Sequence, residues 1–196
     1  MRMLLFTMIG LFLMGDTSHA AAKTETAMFA AGCFWCIQPP YDNAEGVIKT
    51  TVGYTGGHLK NPTYKDVTSE TTGHYEAIQV IYDPSIISYE QILEIFWHNI
   101  DPTDEGGQFF DRGQSYQTVI FVNDPEQKEV ALASRKAAEE KLGKKIVTKI
   151  LPVETFYTAE EYHQEYYKKN KLHYEGYKQG SGRTKKLNQL WGNTRP

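Results

Sequence analysis

The sequence predicts an α/β (α+β) fold: a single two-layer sandwich domain in which helices pack on a mixed β-sheet. Three observations lead there. Strand-like and helix-like segments alternate over roughly 150 residues. No repeat or linker divides the chain. What remains after the first 20 residues are set aside is long enough for one domain with a sizeable core. Periodicity leaves the strand order open.

Those first 20 residues read as an address. Arg2 supplies a positive start, Met3 to Met14 form an apolar run broken only by Thr7 and Gly10, and Ser18-His19-Ala20 offers small residues at a signal-peptidase spacing. A membrane span needs ~20 apolar residues, more than this run provides. Residues 1–20 are therefore expected to be a cleaved leader and the mature protein to be periplasmic or secreted, with no membrane span. A net charge of −3 gives no general electrostatic reason to bind nucleic acid.

Thr24 to Ala31 reads as a buried first strand, ended by Gly32. Phe34 to Gln38 begins helically, but Pro39-Pro40 removes two N–H donors, so a turn or a short helical segment is expected there. Val47 to Tyr54 is a strand rich in β-branched residues, and His58 to Gly73 lacks periodicity and reads as a long surface loop. Tyr75 to Tyr82 alternates as a strand does. Ser88 with Gln91 forms a capping box, and Tyr89, Ile92, Leu93, Phe96 and Trp97 follow at helical spacing as a core face.

Asp101 to Gly113 is a second polar loop, and Thr118 to Val122 a strand. Asp124-Pro125 starts a helix that runs to Leu142 and stops at Gly143, with Ala133 and Ala137 expected against the sheet. Ile146 to Phe156 gives a last strand or a pair of short ones. Thr158-Ala-Glu-Glu161 reads as a further capping box, with Tyr157 and Tyr162 as its hydrophobic staple and a helix continuing to Lys169. The domain is placed at residues 24–177. Residues 178–196, rich in Gly, Ser, Lys, Arg and Asn, are expected to be a loose tail.

The chain owns two cysteines, Cys33 and Cys36, within Gly32-Cys33-Phe34-Trp35-Cys36. A structural staple is a poor use of this pair, because the loop it closes is tiny and disulfide stabilisation grows with loop length. Zinc is disfavoured, because no second cysteine pair or His-x3–5-His element supplies the other ligands. Cys-x-x-Cys suits a pair that opens and closes. At the turn into a helix Cys33 meets unpaired N–H groups and the positive end of the dipole, which are expected to lower its pKa. Cys36, one turn on, is the natural resolving partner. A thioredoxin-like thiol–disulfide oxidoreductase has the same spacing, and an exported binding module with a structural disulfide is a non-enzymatic alternative.

The rest of the chain separates these readings. It supplies Val-Gly-Tyr54-Thr-Gly-Gly, Asn61-Pro-Thr-Tyr64, Gly73-His-Tyr-Glu76, Asp101-Pro-Thr and Asp111-Arg-Gly-x-x-Tyr116. In order and spacing these resemble the motifs of the type A peptide methionine sulfoxide reductases, from about Ala27 to Asn170. The resemblance implies a ferredoxin-like version of the sandwich, an enzyme with no bound cofactor or metal, and a thioredoxin-type thiol reductant as co-substrate. Its substrates would be free methionine sulfoxide and oxidised proteins or peptides, and the enzyme would act as a monomer.

Position by position, the resemblance makes Cys33 the nucleophile toward the sulfoxide sulfur. Phe34 and Trp35 would hold the substrate methyl group. Glu76 would protonate the departing oxygen, Tyr64 and Tyr116 would hydrogen-bond it, and Asp111 would help order the site. The chemistry suits these residue types. A sulfoxide oxygen leaves poorly unless protonated, a carboxyl among aromatic rings has a raised pKa, and phenols are neutral donors. Taken singly, Glu76 also reads as a surface carboxylate, and Tyr64 and Tyr116 as ordinary packing residues.

Two departures from the family's commoner pattern stand out. Cys36 occupies a position where many members have glycine, and the C-terminal segment has no cysteine, so either Cys36 resolves the Cys33 sulfenic acid or the reductant attacks it directly. Asp111-Arg-Gly-Gln-Ser-Tyr116 stands where a Gln-Tyr-Arg-Ser sequence is more usual.

Overall fold

The computed structural model describes residues 23–192, so the leader expected at residues 1–20 lies outside the described part. In chain order the elements are β1 (Glu25–Ala31), α1 (Phe34–Asp42), β2 (Val47–Thr55), α2 (Tyr64–Thr68), β3 (Tyr75–Tyr82), α3 (Tyr89–His98), β4 (Gly107–Gln108) and β5 (Asp111–Arg112). They continue with β6 (Thr118–Val122), α4 (Pro125–Leu142), β7 (Lys149–Pro152), β8 (Tyr157–Thr158), α5 (Tyr166–Lys169), α6 (Lys171–Gly180) and α7 (Arg183–Trp191). No helix of the described residues is long and apolar enough to cross a membrane.

Six strands form one mixed sheet in the order β7-β6-β1-β3-β2-β8. All neighbours are antiparallel except β6 and β7. A parallel pair needs a long crossover, and α4 supplies it. Side chains alternate between the two faces of a strand. Ala27, Phe29 and Ala31 of β1 therefore join Ile78, Val80 and Tyr82 of β3 on the face covered by α1, α3 and α4. There Phe29 stacks between Tyr41 (5.7 Å) and Phe96 (5.0 Å). Met28 and Ala30 point the other way, into a smaller cluster closed by Val153 and Phe156 of the β7–β8 connection.

The same alternation puts Glu76 on the helix face, in register with Tyr54 of β2. The Ser88–Gln91 capping box and the Asp124 cap with Gly143 in the left-handed region stand as the sequence predicts.

Several expectations are corrected. Pro39 and Pro40 do not break the first helix: α1 runs through them, held by the buried side chains of Phe34, Ile37 and Tyr41. The loop after β2 contains α2, whose capping box pairs Thr63 with Asp66. On α4 the buried alanines are Ala131 and Ala138, while Ala133 and Ala137 are exposed, because the helix leans on α3 as well as on β6.

The capping box expected at Thr158 is absent, since Tyr157 and Thr158 pair with β2 as an edge strand. The following segment is pinned to β2 by Gln164, which bonds the N–H and C=O of Val52 at 3.0 and 2.9 Å. Only short helical pieces fit there: a 3-10 turn at Glu161–His163, and α5.

The largest correction concerns the end of the chain. The expected loose tail from residue 178 is instead the end of α6 and all of α7, with Arg183, Leu187 and Trp191 buried. Trp191 donates its indole N–H to the Ile100 carbonyl at 3.0 Å and meets His98 edge-on. The polar composition misleads because a single apolar stripe, Leu187 and Trp191 one turn apart, is enough to dock a helix. Leu187→Ala is therefore expected to lower stability by about 2–5 kcal/mol in chemical denaturation. A near-zero change would mean that α7 does not belong to the fold.

Candidate active site

Gly32 makes the site possible. It has φ +75°, and a Cβ there would lie 2.4 Å from the Cβ of buried Gln108. The tight turn delivers Cys33 as the N-cap residue of α1, with Cys36 one turn further on and its N–H bonded to the Cys33 carbonyl at 3.0 Å. Both are free thiols, 6% and 5% exposed respectively.

A helix start leaves several N–H groups without intrahelical partners. One of them, on Phe34, donates to Glu76 Oε2 at 3.0 Å. Glu76 is 2% exposed, and burial pushes its carboxyl well above the ordinary range, with the Phe34 N–H pulling the other way. Its carboxyl is biased toward the protonated form and held at the cysteine turn.

Tyr64 begins α2 and Tyr116 ends a 3-10 turn after β5. Their hydroxyls interact with each other, and both rings feel Glu76 and Asp111. Burial pushes Tyr64 up to about 12. It raises Tyr116 further, so both remain proton donors at neutral pH. Tyr64 is also within electrostatic reach of Cys33. Asp111, at the start of β5, is raised by burial and accepts a hydrogen bond from the Tyr177 hydroxyl. The residues singled out in the sequence thus converge on one place.

Phe34 lies 1% exposed and packs on Tyr54 and His163, with ring centroids 6.0 and 4.9 Å away. Trp35 is partly open. It stacks on Tyr166 at 3.9 Å and donates its indole N–H to His163 Nδ1 at 3.0 Å. Burial pushes His163 down to about 4, so the ring is neutral and its proton sits on Nε2.

The electrostatics correct one expectation. The helix start was expected to lower the Cys33 pKa. Instead, burial raises it well above the ordinary thiol value, helped by Cys36 and by the carboxyls of Glu76 and Asp111. Cys36 moves the other way, to about 7, through the hydrogen bond from Cys33 and the Arg183 cation, against its own burial. In the reduced pair the negative charge is favoured on Cys36.

Sequence reading missed the residues around this cluster. Glu160, given no role there, accepts from the Tyr54 hydroxyl at 2.8 Å and the Tyr64 N–H at 2.9 Å. His163, Tyr166, Tyr174 and Tyr177 come from the C-terminal third; Tyr174 packs directly on the two cysteines. The run of tyrosines from 162 to 177 was the available signal.

Comparison with known proteins points in one direction. The family model for peptide methionine sulfoxide reductase matches residues 25–195. Peptide methionine sulfoxide reductase MsrA 2 of Caulobacter vibrioides is 51% identical over 194 residues, covering 97% of this chain and 98% of its own. MsrA of Bacillus pumilus is 54% identical over 171 residues, covering 86% and 96%. Among solved structures, reduced Mxr1 of Saccharomyces cerevisiae is 31% identical with a TM-score of 0.73, covering 78% of this chain and 88% of its own. The same yeast protein in complex with Trx2, matched at 24% identity and a TM-score of 0.53, shares the fold. The chain belongs to the peptide methionine sulfoxide reductase family.

Proposed function

We propose that this chain reduces methionine-S-sulfoxide, free or within peptides and proteins, through a sulfenic acid on Cys33 and then a Cys33–Cys36 disulfide. The observation that carries this is the buried Glu76 carboxyl, its pKa raised by burial, bound to the Phe34 N–H beside two phenols and the Cys33 thiol. A thiol–disulfide oxidoreductase has no use for such a donor set.

In the first half-reaction the Cys33 sulfur attacks the sulfoxide sulfur while Glu76 gives its proton to the oxygen. Tyr64 and Tyr116 donate to that oxygen as negative charge develops on it. The oxygen passes to Cys33, methionine leaves, and the proton released by the thiol restores neutral Glu76. Trp35 offers aromatic surface to the substrate methyl, Phe34 is too fully buried to do so and backs the site, and Asp111, tied to Tyr177, steadies the wall. In the second half Cys36 condenses with the sulfenic acid, giving the disulfide and water. A thioredoxin-type reductant then reopens it by thiol–disulfide exchange. The solved complex of yeast Mxr1 with Trx2 supports that class of reductant.

The raised pKa values set the pH behaviour. Glu76 acts while protonated, so the first half-reaction declines as pH rises through its elevated pKa. With dithiothreitol and separated S and R sulfoxides of a blocked methionine, only the S epimer should turn over, and Cys33→Ser should be inactive. Glu76→Gln should lose about 10²–10⁴-fold in the first turnover together with the alkaline decline. Turnover of neither epimer, or an active Cys33→Ser protein, would refute the reading.

Cys36→Ser is expected to release one methionine per chain and then fail to be recycled by a thioredoxin-type protein. Full recycling would remove Cys36 from the cycle.

We place the activity, carried by a monomer, outside the cytoplasm, because residues 1–20 have the charge and apolar pattern of a cleaved leader. Protein recovered from the producing cells should begin at Ala21 and fractionate with the periplasm or medium. An intact Met1 in the cytosolic fraction would contradict this.

A further inference from the structure

Arg183 opens α7 and is 3% exposed. Its Nη1 donates to the Asn99 carbonyl at 2.8 Å, and the guanidinium lies over the Phe109 ring, 4.3 Å from the centroid. Nε and Nη2 have no hydrogen-bond partner. A Cβ placed on Gly32 would lie 3.6 Å from Nη2, so this nitrogen sits against the turn that carries Cys33. Arg183 and Cys36 also share the wall of a cavity of about 600 Å³, bordered by Tyr174 and Lys178 of α6 and Glu94 of α3.

A buried guanidinium with two unpaired donors is costly unless an anion forms beside it. The reduced pair offers one. We propose that Arg183 is a positioning residue for the resolving half-reaction, its buried cation holding Cys36 as the thiolate that attacks the Cys33 sulfenic acid.

The inference rests on the function proposed above. In that step the Cys36 sulfur attacks the Cys33 sulfur, the S–S bond forms and the S–O bond breaks. Cys36 is oxidised and Cys33 reduced. The departing hydroxide takes a proton and leaves as water, balancing the proton that Cys36 gave up. Several charges act on Cys36. Arg183 and Lys178 favour the thiolate and Asp111 opposes it; the hydrogen bond from the Cys33 S–H acts only in the reduced pair. Glu76 and Tyr174 also feel the Cys36 charge, and Glu94 borders the cavity.

The test is rapid-quench single turnover of the full chain with one equivalent of methionine-S-sulfoxide, following methionine release and thiol loss separately across pH. For Arg183→Met, methionine release should stay within about twofold, while disulfide formation at neutral pH slows about tenfold and its pH midpoint rises by about one unit. Arg183→Lys should recover most of the rate. An unchanged disulfide step in Arg183→Met, or equal slowing of both steps without rescue by lysine, overturns the proposal.

If Arg183→Met does not fold, alkylation of Cys36 in Cys33→Ser decides instead, since the serine hydroxyl still donates. A midpoint about one unit higher in Cys33→Ser/Arg183→Gln than in Cys33→Ser supports the role, and equal midpoints end it. Failure of the underlying function would show differently, as no methionine burst in the unmodified protein.

Discussion

The hydrogen bond from the Phe34 N–H to Glu76 Oε2 joins the start of α1 to the interior of the sheet, and the site depends on it. Glu76 reaches the helix face because β3 alternates, and the helix start faces it because Gly32 turns the chain within one residue. The bond has a double character. Burial favours the protonated carboxyl, while the N–H orients one oxygen and leaves the other for the acidic proton. A surface carboxylate would be ionised at neutral pH, and an unanchored buried one would have no fixed direction.

Glu160 plays a comparable part at the edge of the sheet. One of its oxygens accepts from Tyr54, the residue in register with Glu76, and the other from the N–H that begins α2 at Tyr64. A single carboxylate therefore sets how far the long loop after β2 stands from the cysteine turn. The phenol of Tyr64 meets Tyr116 partly because Glu160 ties down the backbone N–H of Tyr64.

The two cysteines are alike in burial and unlike in charge environment. Burial and the carboxyls of Glu76 and Asp111 raise Cys33, whereas on Cys36 the cations of α6 and α7 act against Asp111. With that gradient the first sulfur stays protonated until substrate arrives, and the second is ready as a nucleophile once the first has been oxidised. The C-terminal helices, with no cysteine of their own, bear on the cycle through charge and coverage.

Strand and helix positions in the first two-thirds were legible because local signals agree there: alternation in β1 and β3, capping at Ser88 and Asp124, the stop at Gly143. Pro39-Pro40 misled because local hydrogen-bond loss was outweighed by burial of Phe34, Ile37 and Tyr41, a tertiary effect. Thr158 misled because Gly53, its partner in β2 some 105 positions earlier, claimed the segment as a strand. Among the site residues, the Cys33–Cys36 pair and the motif set were readable from order and spacing alone. Chain order does not report burial, however, and burial raised Cys33 where the helix start by itself would have lowered it. The five residues Gly32 to Cys36 thus determined the chemical class by their types and spacing. Which sulfur its surroundings favour as the thiolate was decided only when helices from the far end of the chain closed over the turn, because electrostatic fields depend on distances in space.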